Sequence, residues 1–392
     1  MGELLRRAGR PGVFVVLGAA ALAWAAGCNS GGRLVAVHDD DGGAADPGDG
    51  GRPGTGLDVD AGAWWGDAGL ELLGVTGNVL APGGSELRRL DPLTGRTSQI
   101  SSLPDVSALL LGGNTEYRDA GRLVFISLSP GEPGERLVSV ASMSGIVEQM
   151  PFLLFPDGGF QSWSGWEGLH PRSDGQLVAV QSVDAFRVGL ISISPSTGVS
   201  RFLSSWADGG RVMIPRAYDT RRDLLYAWES TSDTGSPVLY GVDAQSGQHL
   251  PGHVLRTGDG GRETWPSILS CRSDGSLLAV LMDADGRWWL KAVDPTTGMT
   301  LLLVQQPLLS LLTQNGYFGP IFETDTYDDS RDVLCFIAAA APGIILQPAS
   351  SSLVCVDGMT GALLANAPID GAAFDGGPSP YDWSGGLHFV DR

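Results

Sequence analysis

Trp163, Trp166, Glu167 and His170 crowd into one short stretch; Glu263 and Trp265 recur about a hundred residues later, and Glu323 and Asp325 follow. Aromatic faces beside carboxylates can hold a sugar, a peptide or a cation. The same side chains would serve equally as internal packing and a solvated acidic rim, and the sequence leaves both readings open. Other groupings are weaker. Ser162-Trp163-Ser164-Gly165 lacks the leading glycine of a nucleophile elbow, and neither His-Glu-x-x-His nor Cys-x-x-Cys occurs. Among the histidines only His249 and His253 are close. On a strand they would lie roughly 13 Å apart, too far to share a metal. Asp283-Ala284-Asp285-Gly286 sits between two apolar runs and reads as a hairpin turn rather than a calcium loop. Neither a metal nor a cofactor is expected.

The elements that would position these groups repeat along the chain. An apolar run ending in a turn appears as Leu90-Asp91-Pro92-Leu93-Thr94-Gly95. Variants of it close at Gly145, Gly198, Gly247, Gly298 and Gly361, in steps of 50, 53, 49, 51 and 63 residues. In such a turn Asp or Ser caps backbone N–H groups, Pro presets φ and Gly takes the left-handed position. A second unit alternates with the first: Tyr or Arg, then Asp or Ser, a polar turn and an apolar strand. Tyr218-Asp219 before Leu224, Arg272-Ser273 before Leu277 and Tyr327-Asp328 before Val333 are examples. Seven copies can be counted, from Trp65-Gly66-Asp67 before Leu72 to Tyr381-Asp382 before Leu387. Two hairpins in about fifty residues make four strands per repeat, the signature of a β-propeller.

The turn Val293-Asp294-Pro295-Thr296-Thr297-Gly298 is similar to repeats of the quinoprotein-like and related bacterial propellers. The resemblance implies an all-β propeller of four-stranded antiparallel blades over residues 58–392. Seven blades are favoured, with six the alternative. Propellers commonly complete one blade with a strand from the opposite terminus. Residues 33–38, Arg-Leu-Val-Ala-Val-His, would be that strand, sharing a blade with Leu387–Val390. The Trp that quinone enzymes carry four residues after the turn glycine is absent at Gln99, Gln149, Phe202, Pro251, Leu302 and Ala365. Quinone-dependent catalysis is therefore not expected. In a propeller the aromatic and acidic groups named above fall on innermost strands, which line the central channel.

Aligning the strand of Leu277 with that of Val333 sets Cys335 on Ala279 and Cys355 on Ala292. With a two-residue turn at Asp285-Gly286 these positions face each other as a non-hydrogen-bonded pair, where side chains approach most closely. A Cys335–Cys355 disulfide is expected, with Cys271 unpaired; a bulge that shifted the register would leave two buried thiols instead.

At the N-terminus Arg6, Arg7 and Arg10 precede an apolar stretch, residues 13–26, too short to span a bilayer as a helix and shaped like a secretory signal. It ends in Ala25-Ala26-Gly27-Cys28, which resembles the lipobox of bacterial lipoproteins. The resemblance implies removal of residues 1–27 and lipidation of Cys28. Asn29 in the next position favours the outer membrane. Residues 28–57 are dominated by Gly, Asp and Pro and read as an acidic tether. Export would permit disulfides.

The chain carries 44 acidic against 25 basic residues, a net charge of −19, which argues against nucleic acid as a partner. With 43% hydrophobic residues it is neither collagen-like nor wholly disordered. The expected function is that of a membrane-anchored exported lipoprotein whose propeller is a non-catalytic binding or assembly scaffold for a protein or glycan. The alternative is a hydrolase or lyase acting on an extracellular sugar or lactone at the channel mouth.

Overall fold

Tight turns set the frame. In the Asp91–Gly95 turn the Asp91 carboxylate accepts hydrogen bonds from Leu93 N at 2.9 Å and Thr94 N at 3.2 Å. Gly95 sits at φ +70° and returns its N–H to Asp91 O at 2.8 Å. The same construction recurs at Asp243, Asp294 and Asp357, each closed by a left-handed glycine.

Between these turns the computed structural model describes residues 70–391, apart from 78–84, 105, 107–113, 118–120, 128–132, 161–165, 185–186, 208–215, 231–236, 265, 284, 286, 305–307, 309–316, 321–324, 341–350 and 370–386. Blade one holds β1 (Leu70–Gly77), β2 (Ser85–Leu90) and β3 (Thr97–Leu103). Blade two holds β4 (Asn114–Tyr117), β5 (Arg122–Ser127), β6 (Arg136–Ala141) and β7 (Val147–Gln149). Blade three holds β8 (Trp166–Pro171), β9 (Leu177–Asp184), β10 (Arg187–Ile193) and β11 (Ser200–Ala207). Blade four holds β12 (Arg216–Asp219), β13 (Leu224–Ser230), β14 (Pro237–Asp243) and β15 (His253–Val254). Blade five holds β16 (Arg256–Thr257), β17 (Pro266–Cys271), β18 (Leu277–Met282), β19 (Trp288–Val293) and β20 (Met299–Leu302). Blade six holds β21 (Tyr317–Pro320), β22 (Thr326–Asp328), β23 (Val333–Ala340), β24 (Ser351–Asp357) and β25 (Leu363–Pro368). The last strand, β26 (Leu387–Asp391), returns to blade one.

The propeller thus has six blades, four of four strands and two of five, and not the seven uniform blades favoured from the sequence. The seventh copy of the strand-and-turn unit, at Leu387, does not open another blade. It pairs antiparallel with β1, from Leu70↔Asp391 to Gly74↔Leu387, and supplies the innermost strand of blade one. The first and last described strands share one blade, so counting units counts that blade twice. Nor are all pairs antiparallel: β16 runs parallel to β20. The leader 1–27, Cys28, the tether 28–57 and the 33–38 strand within it lie outside the described residues, all of which belong to the compact unit Leu57–Arg392.

Each blade packs both faces against neighbours, so its central strands are apolar without alternation. Along β18, Leu278 and Val280 meet Leu334 and Phe336 of blade six, while Leu277, Ala279 and Leu281 meet Tyr226 and Leu239 of blade four. A comparable buried seam joins every neighbouring pair, including blades six and one.

Cys335 and Cys355 are paired across β23 and β24 and joined by a disulfide, their Cα atoms 4.1 Å apart. They sit on the face of blade six that meets blade one. Cys271 is free. The register differs from the one used to anticipate the bridge. In blade five Ala279 pairs with Lys291 rather than Ala292. The blade-six hairpin is displaced by one residue relative to that of blade five, and the two offsets cancel.

Candidate functional site

In blade six two short strands, β21 and β22, both pair with β23, through contacts that include Pro320↔Ala338 and Thr326↔Cys335. Asp325 immediately precedes β22. Solvent still reaches it, but protein encloses it. Burial pushes its carboxyl up to about 7, opposed only by a hydrogen bond from its own backbone. Near neutral pH such a carboxyl is present in both forms and can take up and return a proton.

Across the ring, His170 lies on β8. The register of β8 slips between Glu167 and Leu169, where Gly168 adopts φ +61°. The imidazole stacks on Tyr218 of β12, with centroids 5.1 Å apart and planes 8° from parallel. Burial lowers His170 to about 4, so the ring is neutral at physiological pH. Its Nε2 is sealed from water and has no hydrogen-bond partner among the described residues. The Tyr218 hydroxyl donates to Asp223 Oδ1 at 2.8 Å.

Asp223 joins two blades. From blade three it accepts Ser173 N at 3.0 Å and the Ser173 hydroxyl; from blade four it accepts Gln245 Nε2 at 2.7 Å. Blades five and six repeat the clip at Asp332, which accepts Ser273 N at 2.9 Å, the Ser273 hydroxyl and Tyr327 OH at 2.6 Å. Both acids adopt left-handed backbone, φ 50° and 52°. The sequence reading used Tyr218-Asp219 and Tyr327-Asp328 as repeat anchors and missed these two acids. Their signal was an Asp five residues after each Tyr.

The anticipated residues are dispersed. Trp166 and Glu167 share β8 with His170, three blades away from Asp325. Glu263 is buried in the outer half of blade five, where Lys291 Nζ donates to its two oxygens at 2.6 and 2.8 Å and the Thr300 hydroxyl also donates. Trp163, Trp265 and Glu323 lie outside the described residues. Among the described residues no three His, Cys, Asp or Glu side chains are grouped to hold a metal.

No protein family and no curated protein matches the sequence. Solved structures do match. TolB from Acinetobacter baumannii superposes with a TM-score of 0.52 at 13% identity, over 83% of this chain and 68% of that one. A candidate 6-phosphogluconolactonase from Bacteroides fragilis gives 0.45 at 12% identity, over 83% and 99%. Puromycin hydrolase gives 0.44 at 16% identity, over 76% and 52%. At these identities the likeness to TolB establishes the β-propeller fold. The leaning against catalysis drawn from the sequence is corrected at this point: an enclosed carboxyl pushed up to about 7 stands immediately before β22 in blade six.

Proposed function

We propose that the protein is an exported propeller hydrolase acting on an extracellular sugar lactone at the channel, with Asp325 as its general acid–base. The observation that carries this is Asp325 itself: enclosed, immediately before the inner strand β22 of blade six, and pushed up to about 7. Hydrolysis of a glycoside uses two carboxyl groups, whereas a lactone carbonyl is attacked by water with one proton acceptor. The Asp325 carboxylate takes a proton as water oxygen bonds to the carbonyl carbon. Collapse of the adduct breaks the ring C–O bond, and Asp325 returns the proton to the departing oxygen. Cys28 would hold the enzyme at the cell envelope, so Cys28→Ser should release it from membranes. The test is turnover of a panel of aldonolactones followed by pH-stat. Asp325→Asn should lower kcat by roughly 100-fold or more, and the wild-type acid limb should fall near 7. A wild-type protein that opens no lactone above background, or an Asp325→Asn variant with unchanged kcat, refutes the assignment.

A second reading, docking of a protein partner at the outer rim, rests on a contrast between two hairpins. Residues 155–160 and 257–262 close alike: Phe155 N donates to Gly159 O at 2.8 Å and Thr257 N to Gly261 O at 2.9 Å. The first presents Phe155 and Phe160, both exposed, where the second has Thr257 and Arg262. Phe160 also packs edge-on against Phe152, with ring centroids 5.1 Å apart, so Phe155 carries the contrast. Phe155→Thr should leave the melting temperature unchanged; a marked fall would return this ring to a structural role.

A further inference from the structure

We infer that Met359 is a modification site: oxidation of its sulfur gives the buried Arg272 guanidinium an oxygen acceptor and tightens the seam between blades five and six. The inference stands apart from the lactone reading. Arg172 and Arg272 hold the same place, directly after the inner strands β8 and β17. Their side chains are 9% and 6% exposed. Every nitrogen of the Arg172 side chain has an oxygen partner. Nε donates to Asp174 Oδ1 at 3.0 Å and Nη2 to Asp174 Oδ2, while Nη1 crosses to Ala244 O of blade four at 2.9 Å. Arg272 is served less well. The Ser276 hydroxyl donates to Asp274 Oδ1 at 2.6 Å, and the other carboxylate oxygen stays 3.6 Å from Nη1. Nη1 donates to Ser276 Oγ at 3.0 Å, and Nε is sealed from water without a hydrogen-bond partner among the described residues. Blade three has Gln176 in place of Ser276, with no hydroxyl to draw the acid away.

The remaining nitrogen, Nη2, crosses to blade six and meets Met359 Sδ. A thioether is a weak acceptor, and an enclosed cation gains most from charge-assisted bonds to oxygen. Met359 stands in the Asp357–Gly361 turn, 42% exposed, with its N–H held by Asp357 Oδ1 at 2.9 Å. The residue before it, Gly358, donates to Asp332 O, so the sulfur adjoins the Ser273–Asp332 clip. A hydroperoxide reaching this sulfur supplies the oxidant. A sulfur lone pair forms the S–O bond as the O–O bond breaks. The thioether loses two electrons, and the departing hydroxide takes the proton of the transferred oxygen and leaves as water. The sulfoxide oxygen then accepts from Nη2, as Ala244 O accepts from Arg172. Oxidation of a methionine in an apolar contact loosens that contact; here the sulfur faces a cation, and the sign is reversed.

In the experiment the full chain is treated with hydrogen peroxide, sulfoxides are located by peptide mass spectrometry, and melting is followed by calorimetry beside a Met359→Leu variant treated alike. The variant reads the effect of the other methionines, among them Met143, which holds the same turn position in blade two and is 53% exposed. Met359 sulfoxide should form on the native protein. The treatment should raise the wild-type melting temperature by about 2 °C or more relative to its effect on the variant, and methionine sulfoxide reductase should reverse the rise. A change equal to the variant's, a fall, or a Met359 that stays reduced while Met143 is oxidised overturns the inference. In an Arg272→Gln background the rise should vanish; a rise that persists there overturns it as well. Should that chain not fold, Met359→Gln decides. Its amide oxygen should reproduce the rise without peroxide, and an unchanged or lower melting temperature overturns the inference.

Discussion

Asp223 holds a left-handed conformation, φ 50°, that costs an L-residue roughly 1–2 kcal/mol. Four accepted hydrogen bonds offset that cost, and Ser173 and Gln245 draw them from different blades. Asp223→Ala keeps the strain and loses the bonds, so it should destabilise by about 2–4 kcal/mol. Asp223→Gly relieves the backbone and should lose about 1 kcal/mol less. Urea unfolding of the two variants checks the order. Burial raises the Asp223 carboxyl, but hydrogen bonds from Ser173, Gln245 and Tyr218 outweigh it and hold the group below the ordinary carboxylate range. Its stabilisation is therefore present above the unfolded value and lost as pH falls through the folded one. Asp325 has the opposite sign. Raised to about 7, its contribution is full below the ordinary carboxylate value and lost as pH rises through 7. Asp325 could be singled out from its place among acids and aromatics on an inner strand. Asp223 could not, because its role depends on a backbone angle and on a serine 50 residues away.

The closing glycines show what an element's sequence conceals. A left-handed glycine after Asp-Pro-x-Thr is required by the hairpin alone. Several of these glycines also seat the backbone of the preceding blade: a Cβ on Gly198 would lie 2.0 Å from Phe152 O, on Gly95 2.0 Å from Pro368 O and on Gly298 2.6 Å from Val254 O. The seat is completed by Leu154 N donating to Gly198 O at 3.0 Å and Arg256 N to Gly298 O at 2.9 Å. Gly158, at φ +83° with open space around it, carries the conformational demand without the contact. Gly158→Ala should cost about 1 kcal/mol and Gly198→Ala about 3 kcal/mol or more, since a carbonyl must move as well. Chemical denaturation of the pair separates the two terms; equal costs would show that the seam yields freely.

At the scale of the whole ring, closure depends on β26. This strand gives blade one its inner edge and places Leu387 in the seam with blade six, beside Leu72, Val333 and Cys335. Ending the chain after Gly386 removes the ladder to β1 and that seam contact together. The melting temperature should fall by about 10 °C or more, in one cooperative transition. A truncated protein that melts as the full chain does would mean the ring closes without this strand.

Periodicity by itself determined the class of fold, because strand length, turn chemistry and the glycine positions are local properties written in contiguous residues. It also located Cys335 and Cys355 on facing strands, although only the structure revealed that two one-residue offsets cancel there. Blade number was not legible. A terminal strand looks the same in sequence whether it opens a blade or completes one, and only pairing between residues some 317 positions apart distinguishes the cases. The site was legible in part for the same reason. Glu263 and Asp325 are alike as carboxylates in similar surroundings of sequence. Tertiary packing gave Glu263 the lysine and threonine that satisfy it, and left Asp325 enclosed with its proton affinity raised.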